Sequence, residues 1–177
     1  IRRPHYAVLG AVCVLVIGVF VWSARSGMGE LWGSGAEDSY YNLLVRGFRA
    51  GQFNLKREAP PGLTQLADPY DPAANGPYRW ITRYPLDEMS YYKGKLYLYF
   101  GATPALVLFW PYVALTGHYL LHKDAAVIFF SVGFLASVGL LWAVWRRYFS
   151  EVGVGVVAAG ALAIGLANLI LACLQRC

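Results

Sequence analysis

Three stretches of this chain run for 19 to 23 residues without a charged side chain: Tyr6 to Ala24, Ala125 to Trp145 and Val152 to Leu174. A helix rises about 1.5 Å per residue, so each run is long enough to cross ~30 Å of hydrocarbon. A helix that is apolar on every side offers no face to water. Lipid also leaves a backbone few ways to satisfy its own polar groups, and the helix is the simplest of them. With 58% hydrophobic and only 14% charged residues, the composition is too apolar for an ordinary soluble domain. The expected fold class is an α-helical polytopic membrane protein, with about three transmembrane helices: one in 1–24 and two in 124–177.

The first run follows Arg2 and Arg3, as the h-region of a signal peptide would. It is long for that role, and Trp22-Ser23-Ala24-Arg25 makes a poor cleavage site, so an uncleaved anchor is the better reading. The chain starts without Met and stops just after an apolar run at Cys177, which leads us to expect a piece of a longer bundle. Cys13, Cys173 and Cys177 lie in, beside or just past the apolar runs and read as small membrane hydrophobes rather than as a disulfide or metal set. The net charge of +5 is dispersed, with no basic run that points to a nucleic acid partner.

Arg2 and Arg3 place the N-terminus in the cytoplasm by the positive-inside rule, which makes 25–123 a long extracytoplasmic loop. A fourth apolar stretch, Gly101 to Leu121, contains Pro104 and Pro111. If it spans, Arg146 and Arg147 lie outside with Arg25, against Arg2, Arg3, Lys123 and Arg176 inside. If it lies along the interface, Arg2, Arg3, Arg146 and Arg147 are inside, against Arg25, Lys123 and Arg176. The second count segregates charge slightly better. The prolines, Trp110-Pro111-Tyr112 and the polar tail His118-Tyr119 also suit an interfacial helix over 102–120.

Within the loop, Tyr40, Leu43, Leu44, Gly47 and Phe48 recur at helical spacing, which predicts an interfacial helix over 37–50. Gly51 is its natural stop, and Arg46 and Arg49 suit the negative end of its dipole. Residues 59–80, rich in Pro, Gly and Asp, read as successive turns. Tyr-rich strands around Lys93-Gly94 predict a small β-hairpin over 90–100.

Two features of the loop carry chemistry. Glu37-Asp38 sits a few residues beyond the first apolar run. Ser34-Gly35-Ala36-Glu37 fits a capping box, so the acids have a purely structural use in a helix start. A carboxylate at the bilayer rim is also placed to take a proton from an acceptor hydroxyl. Arg79, Arg83, Lys93 and Lys95 are the cations available to a phosphate, and the arginines suit bidentate binding best. Their alternative role is solvated loop or headgroup contact. Asp87-Glu88 forms a second acid pair. Asp68 and Asp71 read as turn caps. His118 and His122 read as lone interfacial histidines. Most of the Tyr and Trp excess reads as an aromatic belt.

The acid pair, Tyr40-Tyr41 and "LLVRGFRAGQF" together resemble the first outer loop of membrane glycosyltransferases of the C fold class. That class includes protein O-mannosyltransferases, aminoarabinose transferases and bacterial family-39-like enzymes. "DEMSYYKGKLYLYFGATPALVLFWPYVALTG" (87–117) and "WRRYFSE" are similar to segments of a bacterial branch. The acid order here is Glu-Asp where the family has Asp-Glu, so the resemblance assigns the general base to Glu37 or Asp38 without choosing between them. It implies transfer of a sugar, with inversion, from a polyprenyl-phosphate donor to a hydroxyl of a glycan, lipid or protein acceptor, at the outer face of a bacterial inner membrane. Substrate contacts would come from Tyr40, Tyr41, Arg79, Arg83, Asp87, Lys93 and Lys95. The Asp87-Glu88 pair would orient acceptor or donor or, where a divalent cation is used, help hold it with Glu37 or Asp38. The other reading of the same architecture is a non-catalytic membrane protein of envelope polysaccharide assembly or lipid binding.

Overall fold

The computed structural model describes residues 3–26, 35–80 and 89–174. Helices dominate, joined by one two-stranded sheet. The chain forms two compact units, one from Ile1–Leu31 with Lys123–Cys177 and one from Trp32–His122.

The first unit packs three helices: α1 (Arg3–Arg25), α6 (His122–Tyr148) and α7 (Val154–Leu174). Ring pairs set the direction of α1 against α6. His5 and Tyr6 meet Trp145 and Trp142, while Phe20 meets Phe130 and Phe134, so the two helices run antiparallel. Helix α7 doubles back from α6 and lies parallel to α1, with Val16 against Gly165. The turn between α6 and α7 is secured by the Trp145 indole N–H, which donates to the Val152 carbonyl at 2.8 Å.

The seam of this unit is a thin row of Leu9, Val16, Phe20, Phe134, Val138, Val157 and Ala161. Most of the remaining apolar side chains point outward; Val14 is 73% exposed and Leu140 68%. Helices α1, from His5, and α6 are long and apolar enough to cross a membrane. The apolar run of α7 is shorter among the described residues, Val154–Ile170.

The second unit is built around α2 (Tyr40–Arg49). The helix expected over 37–50 is split. Ala36–Asp38 forms a separate 3₁₀ turn, and Ser39 is extended, with φ −68° and ψ 148°, before α2 begins. At the other end, Gly51 takes φ +72° directly after the Ala50 cap, the left-handed stop that glycine adopts without strain. Within its unit, Tyr40, Asn42 to Val45 and Gly47 of α2 are all buried. The 50–58 segment and a second helical segment cover it.

That second segment winds as one π turn, Ala105–Phe109, and continues as α5 (Trp110–Thr116). Pro111 accounts for the π turn: it has no N–H to give the Val107 carbonyl, and its ring pushes that carbonyl away. Ala105, Phe109 and Val113 face inward.

Residues 59–80 correct the reading as turns alone, because they hold α3 (Pro61–Thr64) and α4 (Pro72–Trp80). Each Asp-Pro step there reads equally well as a helix start. Asp71 Oδ1 accepts from the Ala73 N–H at 2.9 Å while Pro72 opens the helix, where a missing N–H costs nothing. Strands β1 (Met89–Tyr92) and β2 (Lys95–Leu98) make the hairpin, with Tyr92 opposite Lys95. Its turn has two positive φ values, 47° at Lys93 and 81° at Gly94, the pattern that matches strand twist.

Candidate functional site

Glu37 and Asp38 are both exposed on the 3₁₀ turn that precedes α2. They lie just ahead of the positive end of that helix, where negative charge is favoured. Ser34 lies outside the described residues, and the turn has no side-chain cap from Gly35.

What fixes the turn is Asn42, a residue that periodicity did not single out. It is wholly buried, and its Nδ2 donates to the Ala36 carbonyl at 2.6 Å, to Ser39 Oγ at 2.9 Å and to the Leu120 carbonyl at 2.8 Å. Two N–H groups serve three acceptors, so one is shared. The Oδ1 atom has no partner. A buried carboxamide of this kind ties the acid-bearing turn to the segment just before α6. The signal for it in the sequence is one amide side chain among the apolar and aromatic residues of 40–45, ahead of the charged Arg46.

Aromatic rings cluster where α2 meets residues of 105–122. Tyr41 stacks on His122 at 5.3 Å between centroids and lies 5.2 Å from Phe109; Tyr40, itself buried, has its ring 6.3 Å from His122. His122, expected to stand alone at an interface, is thus part of an aromatic cluster.

The hairpin supplies cations. Lys93 is exposed at the turn, its Nζ 5.2 Å over the Tyr92 ring. Lys95 is exposed at the start of β2 and bridges to Glu58 through the backbone. Leu55 N–H donates to the Leu96 carbonyl at 2.8 Å and Lys56 N–H to the Leu43 carbonyl at 3.1 Å, so one short segment is bonded to both α2 and the hairpin. Arg79 belongs to α4 by its backbone, but its side chain lies outside the described residues, as do Arg83 and Asp87. Asp68 and Asp71 do cap turns, accepting from the Tyr70 and Ala73 N–H groups at 2.9 Å each. Among the described residues, no three His, Cys, Asp or Glu side chains stand together as a metal site.

The structure therefore places the two acids on one anchored, solvent-open turn, followed by Tyr40 and Tyr41 on the helix it leads into. It places Lys93 and Lys95 on a hairpin one short segment away. No protein-family model, no curated protein and no solved structure matches the chain.

Proposed function

We propose that this chain is the N-terminal part of a membrane glycosyltransferase in which α1, α6 and α7 cross the bilayer and the 32–122 unit works on its outer face. The supporting observation is the acid pair: two exposed carboxylates on a turn held by a fully buried amide. A general base must reach its proton without wandering, and an anchored turn limits that wandering. In the proposed step, Glu37 or Asp38 accepts the proton of an acceptor hydroxyl. The oxygen forms a bond to the anomeric carbon, and the bond from that carbon to the phosphate oxygen breaks with inversion. Polyprenyl phosphate leaves with the electron pair. Lys93 and Lys95, with Arg79 and Arg83, are the cations that would offset its charge.

The test is transfer of a radiolabelled sugar from a lipid-linked donor by membranes carrying the full-length protein. With both Glu37→Gln and Asp38→Asn in place, the rate should fall by a factor of about 10² to 10⁴ at equal expression. Full turnover in the single variants and in the double variant would remove the catalytic assignment. A non-catalytic role in envelope assembly or lipid binding would then be the better reading.

The membrane reading rests on the outward apolar faces of α1 and α6, which water would not tolerate. The 12-residue helical segment Ala105–Thr116 spans roughly 18 Å at 1.5 Å per residue, well short of hydrocarbon thickness. Taking it as interfacial puts Arg146 and Arg147 in the cytoplasm. A cysteine introduced at the exposed Ser150, with native cysteines replaced, should react with an impermeant thiol reagent only in inside-out vesicles. Reaction only in right-side-out vesicles would reverse the topology.

A further inference from the structure

At the end of the bundle where α1 finishes and α6 begins, three polar side chains from three helices line one small pocket. They are Ser23 of α1, Lys123 of α6 and Asn168 of α7, around a space of about 30 Å³ whose remaining walls include Phe20, Phe130 and Leu169. Asn168 stands out because α7 is otherwise a run of apolar and small residues. A carboxamide in such a run is costly unless something engages it. It is half-buried, and its amide makes no hydrogen bond among the described residues.

A second space adjoins the pocket. Phe20 and Leu169 are shared with a cleft of about 160 Å³ between α1 and α7, lined by Leu15, Val16, Leu162 and Leu166 and floored by Gly165. From Ser23 to Leu15 the trough follows α1 for roughly 12 Å. Leu15 and Leu166 are 59% and 58% exposed, so it lies on the outside of the bundle.

A cation and two neutral hydrogen-bonding groups at the head of an apolar trough match the chemistry of one ligand class. A phosphate takes the ammonium, the carboxamide N–H and the hydroxyl, and a hydrocarbon chain takes the trough. An ammonium has three donors, so the phosphate need claim only one of those of Lys123. We propose that this is a binding site for an anionic membrane phospholipid, its phosphate on Ser23, Lys123 and Asn168 and one acyl chain along α1 and α7. The site rests on the bilayer part of the function proposed above and is independent of sugar transfer.

Native mass spectrometry of the full chain, released from nanodiscs, reads the site directly. With phosphatidylglycerol the protein should keep one lipid. Dioleoylglycerol, which has the same tails and no phosphate, should be kept far less. Lys123→Gln combined with Asn168→Leu should lower phosphatidylglycerol occupancy about tenfold to a hundredfold, the scale of hydrogen bonds to a charged group. Leu166→Trp, at an exposed position that leaves the helix seam intact, should fill the trough and lower occupancy as well.

The proposal is overturned if both variants hold lipid like the parent chain, or if dioleoylglycerol binds as well as phosphatidylglycerol. It is also overturned if the chain emerges as a lipid-free dimer with this face covered by a second copy. An alkaline carbonate wash separates the two readings. A chain washed out of the membrane defeats both. A chain that stays in the membrane with unaltered lipid retention defeats only the phospholipid site.

Discussion

Replacing Asn42 with aspartate is expected to destabilise the 32–122 unit by about 3–5 kcal/mol at neutral pH, the scale of an uncompensated buried charge. The exchange keeps the shape and removes both donor hydrogens. The new carboxylate would face the Ala36 and Leu120 carbonyls, which only accept, and the Ser39 hydroxyl, which alone has a hydrogen to give. Asn42→Ala should cost less, about 1–3 kcal/mol, because it orphans the carbonyls without burying a charge.

The two variants should also differ with pH. Burial raises the pKa of the new carboxyl in the folded state above its unfolded value near 3.9. Folding then takes up a proton, so the Asn42→Asp chain gains stability as pH falls toward 4 and loses it as pH rises through the folded pKa. Asn42→Ala should show no such dependence beyond that of the parent. Thermal unfolding in detergent between pH 5 and 8, read with proteolysis at 36–39, measures both effects. An Asn42→Asp chain that melts with the parent at pH 7 would mean the amide is not what holds the turn.

Gly47→Ala should destabilise the same unit even though alanine is the better helix former. In a free helix the exchange gains about 1 kcal/mol. Here a Cβ would collide with the Asn54 carbonyl oxygen, a backbone atom with little freedom to retreat. The neighbouring backbone is held by Gln52 N–H to the Gly47 carbonyl at 3.0 Å and by Leu55 N–H to the Leu96 carbonyl at 2.8 Å. Overpacking of this kind costs about 1–3 kcal/mol, enough to outweigh the propensity gain. Gly47→Val should cost more. Gly18→Ala in α1 is the control, since nothing lies within 4 Å of a Cβ there, and it should be neutral or mildly stabilising. Equal melting temperatures for Gly47→Ala and Gly18→Ala would show that the contact with the 52–54 segment yields freely.

Much of the candidate site was readable only as a set of residue types. The acids, tyrosines and lysines were identifiable because charge and aromatic rings are local facts. Their anchoring was not. Asn42 reaches the Leu120 carbonyl 78 residues away, and Tyr41 meets Phe109 and His122 only because α2 packs on the segment that leads into α6. The break at Ser39 was also hidden, because periodicity alone carries a helix straight through 37–50. The break follows from bonds that close back on the turn, Asp38 N–H to the Gly35 carbonyl and Ser39 N–H to that of Ala36.

By itself the sequence determined what neighbours along the chain can enforce. The long uncharged apolar runs were legible as helices, two of them long and apolar enough to cross a membrane. Gly51 had to end α2, and Lys93-Gly94 had to turn the hairpin, because both places need positive φ. Tertiary structure decided which faces meet. It covered much of α2 with other segments of its unit, required a glycine at 47, and placed Ser23, Lys123 and Asn168 around one pocket. Contacts between residues far apart in the chain depend on the packing of whole elements, and no short window of sequence contains that information.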